Sequence, residues 1–558
     1  MRHTLSKKAF YLLILLILTA TGAGAQNFFP VRWQIKSSEK PVEADSIDFN
    51  RSWQSQGLCE LTGGAEFATS FNVTKKQLKL IAGKEFTLTL NMQCRIDSLL
   101  INGYKAAENI ESTGGKRLIE IPRSAIAAGV NHAVIYARQF SRTGGDGNSI
   151  CQLEGIVSTS ETEIIIQPQN HLFVDTEPVF DVRWNSPAKQ NLEIAVFDEF
   201  NQKVYYHHIK IKKPGESTEH ISLEGIAPGF YQCCAYLSGA DEDGSTQWIA
   251  YNPDKISCRE TVNEGYDEYW QKAIEELDLI SPDYSMRRID SLSRGEKDGY
   301  IVEFQSIDDV TIRAYLFLPR NRKENPVILH LPNHNQDFSD VAKNSFRYPD
   351  IAEMFLCVRG HGISRDYFDP SKDGGPGIWG YEIFDMDKNS YRGIYMDCLR
   401  AVDFITQDYH FDNRRIAVTG SGQGGGLALA TAALCKGRIA AIAYFNPFLC
   451  DIEHFLKTRP TYRMKIDSYL EYYNNTHTFD DVLKVQHMTD VLDMARNIDS
   501  RTLFVSTLFD DDCPPHAGFA AYSLINAPKE YVIHLNRSSL NATYSDEMIK
   551  YLVNILMK

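Results

Sequence analysis

The segment from Arg415 to Leu434 restricts the fold of this chain most, because it joins a strand to a helix through a run of glycines. It reads R-I-A-V-T-G-S-G-Q-G-G-G-L-A-L-A-T-A-A-L. Glycines at such a corner indicate that neighbouring backbone approaches closely. A strand that turns sharply into a helix is the architecture of a nucleophile elbow, and the backbone N–H after the apex is placed to stabilise an oxyanion.

The residues around this corner alternate between short apolar runs and helical patterns. Apolar runs of four to six residues, each bounded by turn residues, are typical of buried parallel strands. Helical patterns occur at 269–277, 393–406 and 427–435. This alternation predicts an α/β domain with a doubly wound and mostly parallel sheet over residues 259–558. The predicted strands lie at 310–319, 327–331, 355–358, 415–419, 440–444, 502–506 and 531–535.

Six motifs follow one another between about residue 263 and the C-terminus: Asp267-Glu-Tyr-Trp270, Arg359-Gly360 with Ser364, Tyr395-Met-Asp-Cys-Leu-Arg-Ala-Val-Asp-Phe404, the elbow, Asp510-Asp-Asp-Cys-Pro-Pro515, and Phe519-Ala-Ala-Tyr522. In these motifs and in their order, this part of the chain resembles the acetyl xylan esterase and cephalosporin C deacetylase family. The resemblance implies an α/β-hydrolase fold and removal of acetyl groups from xylan or short oligosaccharides by a Ser–His–Asp triad.

Two positions that the resemblance assigns to the triad carry other residues. The family elbow reads G-G-S-Q-G-G, and here the apex position is Gly422, with Ser421 one residue early. The family histidine position falls on Ser539. Asp510 matches the family aspartate. A hydroxyl needs an adjacent base and that base an orienting carboxylate, so the sequence predicts a degenerate triad with weak or no esterase activity.

The resemblance also assigns residues to the oxyanion and pocket region. Gln423 follows the apex, His334 stands where the family has the tyrosine of H-G-Y, and His361 stands where it has the glutamine of R-G-Q. A rearranged site using Ser421, His516 and Asp510 is an alternative that would keep the enzyme active. His334, His361 and Asp510 have no specific metal-ligand spacing, so no metal site and no cofactor are predicted.

The residues before the α/β part predict two all-β domains. Residues 26–158 resemble the jelly-roll, galactose-binding-type domains that accompany many glycoside hydrolases, through Ile101-Asn102-Gly103 and Ile121-Pro122…Gly129-Val130-Asn131. Asn102-Gly103 is a strong hairpin signal. Residues 159–258 show five strand patterns separated by turns, which favours an immunoglobulin-like sandwich. The strand patterns are at 164–166, 179–184, 192–197, 204–208 and 230–236.

The N-terminus predicts a cleaved secretion signal at residues 1–25. A basic start precedes the apolar run 10–20, and Ala23 and Ala25 fit the small-residue cleavage pattern. The mature protein is therefore expected to be secreted or periplasmic, in a bacterium, with no membrane span after cleavage. The chain has eleven cysteines and no C-x-x-C pair, so we expect several of them to be buried free thiols. Whether the N-terminal half contains one or two disulfides stays an open question.

The net charge of −14 makes a nucleic acid an unlikely partner. The leading hypothesis is a secreted protein of carbohydrate metabolism that binds a carbohydrate or an acetylated oligosaccharide without cleaving it. An active carbohydrate acetyl esterase with a rearranged site is the first alternative. A carbohydrate-binding or structural role led by the two β domains is the second. The natural ligand and the oligomeric state stay open.

Overall fold

The computed structural model describes most of residues 24–558. The gaps are 30–31, 38–46, 49–63, 76–77, 79–84, 92–94, 111–116, 139–149, 158–162, 239–243, 259–261, 321, 335, 340–346, 409, 475, 511 and 536–539. The proposed signal segment lies outside the described residues apart from its last two, which begin the first strand, β1 Gly24–Asn27. Within the described residues, no helix has the length and apolar character needed to pass through a lipid bilayer.

The first β region, residues 24–157, consists of two antiparallel sheets in the orders β1-β10-β5-β8 and β3-β2-β4-β9-β6-β7. Apolar side chains from both sheets meet in one core. The predicted hairpin at Asn102-Gly103 is confirmed, with φ of 49° and 82° at the two turn residues. The strands are β1 Gly24–Asn27, β2 Arg32–Ser37, β3 Ile47–Asp48, β4 Ala65–Val73, β5 Glu85–Asn91, β6 Arg95–Ile101, β7 Tyr104–Ile110, β8 Arg117–Pro122, β9 Gly129–Arg138 and β10 Ile150–Val157.

The second β region, residues 163–251, packs a three-stranded sheet, β11-β13-β16, against a five-stranded one, β12-β18-β17-β14-β15. All five predicted strands are present. The sequence missed three more, of which β16 is largely exposed and polar and so lacks an apolar alternation. The strands are β11 Glu163–Pro168, β12 Leu172–Phe173, β13 Val179–Ser186, β14 Gln190–Phe197, β15 Lys203–Ile211, β16 Gly215–Ser222, β17 Gly229–Leu237 and β18 Gly244–Tyr251.

The α/β region, from residue 262 onward, is built on a nine-stranded sheet in the order β19-β20-β21-β23-β22-β24-β25-β26-β27. The first three pairs in this order are antiparallel and the other five are parallel, which confirms the predicted mostly parallel sheet. The strands are β19 Ser285–Arg288, β20 Lys297–Gln305, β21 Thr311–Pro319, β22 Asn325–Leu331, β23 Ala352–Cys357, β24 Phe411–Ser421, β25 Ala441–Phe445, β26 Arg501–Thr507 and β27 Lys529–His534.

Helices cover both faces of this sheet. Val327 and Leu329 lie in the larger core, while Ile328 between them faces the smaller one. This alternation follows from the two-residue repeat of a strand. The helix predicted at 427–435 begins four residues earlier, at Gln423, because the glycines belong to its first turn. The helices are α1 Tyr266–Asp278, α2 Gly377–Gly380, α3 Ser390–Gln407, α4 Gln423–Leu434, α5 Ile452–Thr458, α6 Pro460–Tyr472, α7 Phe479–Thr489, α8 Val491–Met494, α9 Pro515–Leu524 and α10 Leu540–Leu556.

The second β region packs directly on the α/β region. Trp248 of β18 stacks on Phe509 with ring centroids 4.5 Å apart, and Phe230 of β17 lies against Phe519 of α9. Phe230 is buried in the same core as the helices of the α/β region. This packing holds the turn between β14 and β15 against the loops that follow β25 and β26.

The cysteines that the structure describes with their side chains are free thiols, and most of them are buried, as predicted. Burial raises the pKa of the Cys357 and Cys435 thiols to about 12, so both are protonated at neutral pH. The question of disulfides in the N-terminal half rests on Cys59 and Cys94, which lie outside the described residues, and on Cys151, whose side chain is not described.

Candidate active site

The corner between β24 and α4 turns at Gly422, whose φ is 56° and ψ is −117°. A side chain is strained at this positive φ, and glycine removes that strain. The Gly422 N–H donates to the carbonyl of Phe445 at the end of β25 (3.0 Å), and its own carbonyl accepts from Gly426 and Phe448. These bonds fix the turn. Ser421, the last residue of β24, is half-buried and pairs with Phe445.

The glycines that follow the apex allow backbone segments to pack at close range. A Cβ added to Gly424 would lie 2.4 Å from the carbonyl oxygen of Leu331, and one added to Gly426 would lie 2.2 Å from that of Phe448. Both distances are too short for any side chain. The close backbone approach that the sequence predicts at this corner is therefore confirmed.

Gly426→Ala should destabilise the protein although alanine favours a helix. The helix propensity of alanine over glycine is worth about 1 kcal/mol. Forcing α4 away from the Phe448 carbonyl should cost about 1–3 kcal/mol or more, as overpacking does in other cores. Gly229→Ala is the matched control, since its added Cβ would meet only ordinary contacts at 3.7–3.8 Å. Denaturant unfolding measures both, and equal effects would contradict the packing argument.

Asn333, which follows β22, fills the space directly above the apex. A Cβ on Gly422 would lie 2.5 Å from Asn333 Oδ1. That oxygen accepts the backbone N–H of His334 (2.8 Å) and that of Gln423 (3.3 Å). Two backbone N–H groups converging on one oxygen are the usual form of an oxyanion-binding site. Here the oxygen that they bind belongs to the side-chain amide of Asn333.

The pocket residues Gln423 and His361 are buried and bonded to each other. Gln423 Nε2 lies 2.9 Å from His361 Nε2, and Gln423 Oε1 accepts from the Tyr391 hydroxyl (3.0 Å). The His361 Nδ1 is 3.1 Å from the carbonyl of Arg359. The amide N–H of Gln423 can donate only to a ring nitrogen without a proton. This arrangement therefore fits a neutral His361 with its proton on Nδ1, and burial lowers the pKa of His361 to about 4.

The stability of the protein should fall as pH is lowered from about 6.5 to 4, partly because of His361. In the unfolded chain this imidazole takes up a proton below its ordinary pKa of 6.5, whereas the folded protein excludes that proton until about pH 4. The unfolded state then binds more protons and is favoured, by about 3 kcal/mol at the lower limit. His361→Gln, which restores the family residue, should flatten this part of the pH profile measured by urea unfolding. An unchanged profile would contradict a neutral, buried His361.

The predicted acid, Asp510, is buried on the loop after β26. Its Oδ1 accepts the backbone N–H groups of Asp512 (2.9 Å) and Cys513 (3.0 Å), and its Oδ2 accepts from Asn446 Nδ2 (3.1 Å). Asn446 directly follows Phe445, the residue that holds Gly422. The acid and the corner thus belong to one connected site.

His516, the base of the alternative site, lies at the start of α9 and turns toward the second β region. Its Nδ1 lies 2.7 Å from Oε2 of Glu199, and its ring stacks on that of His454. His334 is exposed, and the structure joins it to the corner by its backbone N–H. Ser539 lies outside the described residues. The structure therefore brings Gly422, Gln423, His334, His361 and Asp510 together, and pairs His516 with Glu199.

The residues that match the acetyl xylan esterase model run from 254 to 555, which is more than half of the chain. The chain belongs to the acetyl xylan esterase family. Its α/β region has the α/β-hydrolase fold of that family, and the family acts on acetylated carbohydrates. The two β regions lie outside the match.

Proteins similar to this chain include acetyl esterases from bacteria. Axe7A, an acetyl esterase of Xylanibacter ruminicola, is 24% identical over 309 residues, which are 53% of this chain and 69% of that protein. The acetyl xylan esterase from Paenibacillus sp. R4 is 25% identical with a TM-score of 0.49, covering 54% of this chain and 98% of its own. Acetyl xylan esterase 1 from Thermoanaerobacterium sp. JW/SL YS485 is 21% identical with a TM-score of 0.46, covering 54% and 97%.

Asn333 is the site residue that sequence reasoning missed. The resemblance aligns the family motif H-G-Y with Pro332-Asn333-His334, and the prediction used only the third position of that motif. The chain therefore gains a side chain at 333 and has none at 422, and the two positions face each other. Only the fold shows that these changes share one space.

Proposed function

We propose that this protein is a secreted, acetyl-xylan-esterase-like protein that binds an acetylated saccharide without hydrolysing it. The observation that carries the proposal is the amide of Asn333, which occupies the space above Gly422 where an attacking hydroxyl would stand. The family fold and the acid Asp510 are kept while the attacking group is missing. The proposal assigns Gly422 to the nucleophile position and Ser539 to the histidine position.

The chemistry of ester hydrolysis explains why these residues matter. A serine attacks an ester only when a base removes its proton and a carboxylate orients that base. Asp510 remains, but its carboxylate is held by Asn446 and by backbone N–H groups. Loss of a nucleophile or base costs about 10⁶-fold in rate in a well-studied protease. A chain with glycine and serine at these two positions is expected to lose rate on that scale.

The rearranged site that would keep the enzyme active has less support. It needs His516 to serve Ser421, while the His516 Nδ1 is bonded to Glu199 at 2.7 Å. The carboxylate that orients His516 is thus Glu199 and not the Asp510 that this site requires, and the His516 ring stacks on that of His454. We therefore prefer the non-hydrolytic function.

The oxyanion-binding N–H groups suggest how an acetyl ester would be recognised. The side-chain amide oxygen of Asn333 occupies the position in which such a site binds the ester carbonyl oxygen in an active enzyme. An incoming acetyl group would have to displace this amide oxygen to reach the N–H groups of Gln423 and His334. Asn333 is exposed, and the hydrogen bonds described for its side chain are the two that it accepts from these N–H groups. Rotation of the Asn333 side chain away from the corner is therefore a small change.

The proposal includes the organisation and location of the chain. Residues 1–25 are a secretion signal, residues 26–158 a jelly-roll domain of the galactose-binding type, residues 159–258 an immunoglobulin-like sandwich, and residues 259–558 the esterase-like domain. The antiparallel two-sheet packing of both β regions supports the two sandwich assignments.

Binding without cleavage can be tested by NMR with the full-length protein and acetylated xylo-oligosaccharides. Saturation transfer from the protein to the acetyl methyl groups is expected, with no loss of acetyl signal and no free acetate. Asn333→Phe should place a ring over the corner and abolish the transfer to the acetyl groups, while Asn333→Gly should keep it.

Two results would overturn this function. Accumulating acetate would show an active esterase. Transfer that persists unchanged in Asn333→Phe would place the saccharide on the β regions and away from the corner.

A further inference from the structure

Three side chains with metal-binding chemistry meet where the second β region contacts the α/β region. Glu199 comes from the turn between β14 and β15, His454 from α5 and His516 from α9. Their side chains are only 13%, 10% and 13% exposed. Each offers one ligand atom, and these atoms lie within 4.8 Å of one another.

The carboxylate of Glu199 faces both imidazoles. Its Oε2 lies 2.7 Å from His516 Nδ1, and its Oε1 lies 3.9 Å from His454 Nε2. The two rings are nearly parallel, with centroids 3.6 Å apart and an interplanar angle of 8°. Stacked in this way, both imidazoles are held against the same carboxylate. Because parallel rings direct their nitrogen lone pairs in parallel, binding of one ion requires the two rings to tilt toward it and the three ligand atoms to move closer together.

One of the imidazole nitrogens is buried without a hydrogen-bond partner. The whole residue His454 is 9% exposed, and its Nε2 has no hydrogen-bond partner among the described atoms. The 3.9 Å from this nitrogen to Glu199 Oε1 is too long for a hydrogen bond. A buried polar atom with no partner costs free energy. Its position beside a carboxylate and a second imidazole indicates that a ligand completes this cluster.

The surrounding structure fixes each of the three residues. In the turn that carries Glu199, Asp198 Oδ1 accepts the N–H groups of Phe200 and Gln202. The ring of Phe200 lies edge-on against His454, with centroids 5.1 Å apart. His516 lies in the first turn of α9, which begins at Pro515. The cluster is therefore part of a packed interface.

We propose that Glu199, His454 and His516 bind one divalent transition-metal ion, and that zinc suits them best. Two neutral imidazoles and one carboxylate are a known ligand set for zinc, whose fourth position is then open to water. The ion replaces the proton shared by His516 and Glu199 and gives His454 Nε2 a partner. It joins the second β region to the α/β region, beside the loop that carries Asp510. The site is separate from the corner at Gly422.

The sequence gives no motif for this site, because its ligands are far apart in the chain. Glu199 and His516 are separated by 317 positions. The usual metal motifs place at least two ligands within a few residues of each other. Only the packing of the two regions brings these three together.

The test uses the full-length protein, stripped with a chelator and dialysed, and zinc chloride as the ligand. Calorimetric titration should give one zinc per chain, and metal analysis after dialysis should recover it. Zinc should raise the midpoint of thermal unfolding. Glu199→Gln and His454→Ala should each weaken zinc binding at least about tenfold and remove the thermal shift.

His534→Ala is the matched control, since this imidazole also pairs with a carboxylate, Glu547, at 2.9 Å. It should bind zinc like the unmodified protein. If Glu199→Gln and His454→Ala bind zinc as tightly as this control, or the unmodified chain binds none, the proposal is overturned.

Cobalt(II) bound to the unmodified protein gives a measurement that does not depend on the folding of any variant. Its absorption should show an ordered site of low coordination number with nitrogen and oxygen ligands. A spectrum equal to that of aqueous cobalt would also contradict the site.

Discussion

Changing Asn333 to glycine, Gly422 to serine and Ser539 to histidine in one chain should give the protein acetyl esterase activity. Under the proposed assignment of the triad positions, the change supplies the attacking hydroxyl and its base to a fold in which Asp510 is the acid. It also clears the oxyanion-binding N–H groups of Gln423 and His334. We expect at least a ~100-fold rise in acetate release from a synthetic acetyl ester, because the full triad is worth about 10⁶-fold elsewhere.

The contribution of Asn333 makes this prediction specific. Gly422→Ser with Ser539→His alone would place the new Cβ 2.5 Å from Asn333 Oδ1, so the amide must rotate away and these two changes should give less activity than the triple variant. Adding Asn333→Gly should increase the activity several-fold or more. The control replaces serine by alanine at 422 in the same triple variant, since both side chains bear the same strain at positive φ. A folded triple variant no more active than this control would contradict the assigned positions.

Breaking the buried ion pair between Arg359 and Asp397 should be strongly destabilising. Arg359 is 2% exposed and Asp397 is fully buried. The carboxylate accepts the backbone N–H of Arg359 and two of its guanidinium N–H groups, at 2.9–3.0 Å. Removing one partner leaves the other charge buried, which typically costs about 3–5 kcal/mol. We expect Arg359→Ala to lower the free energy of unfolding by about that amount.

Two further variants separate the loss of the pair from general disruption. Arg359→Met with Asp397→Leu removes both charges and should cost less than the sum of the single changes. Lys272→Ala breaks an exposed ion pair with Asp387 (3.1 Å) in the same region and should have an effect within about 0.5 kcal/mol. Urea unfolding measures all of them. Additive costs in the double variant would show that the two charges act independently.

The pair also explains why two motifs of the family resemblance occur together. Arg359 belongs to one motif and Asp397 to another, and a Cβ added to Gly393 would lie 2.1 Å from the guanidinium. The turn of α3 at Gly393 thus leaves room for the arginine. These residues hold the loop that carries His361 against the helix.

Local patterns predicted much of this fold. The glycine-rich corner, the hairpin at Asn102-Gly103 and the parallel strands each depend on residues close in sequence, and each is present. The strand β16 was missed because its polar, exposed residues lack the alternation of a half-buried strand.

The candidate site was predicted less completely, since its contacts join distant segments. Asp510, Gln423 and His361 were found through motifs. The contact of Asn333 with Gly422 and that of Glu199 with His516 depend on how β22, α4 and the second β region pack. The spacing of residues along the chain does not predict those contacts, and only the three-dimensional structure shows them.

Acetate release by the unmodified protein tests the central claim most directly. Purified chain is incubated with acetylated xylan for many hours, beside a Ser421→Ala variant, a protein-free sample and the triple variant as the active reference. We predict that the unmodified chain and Ser421→Ala both match the protein-free sample. Acetate release well above that background, lost in Ser421→Ala, would show that Ser421 attacks the ester and would contradict the non-hydrolytic account.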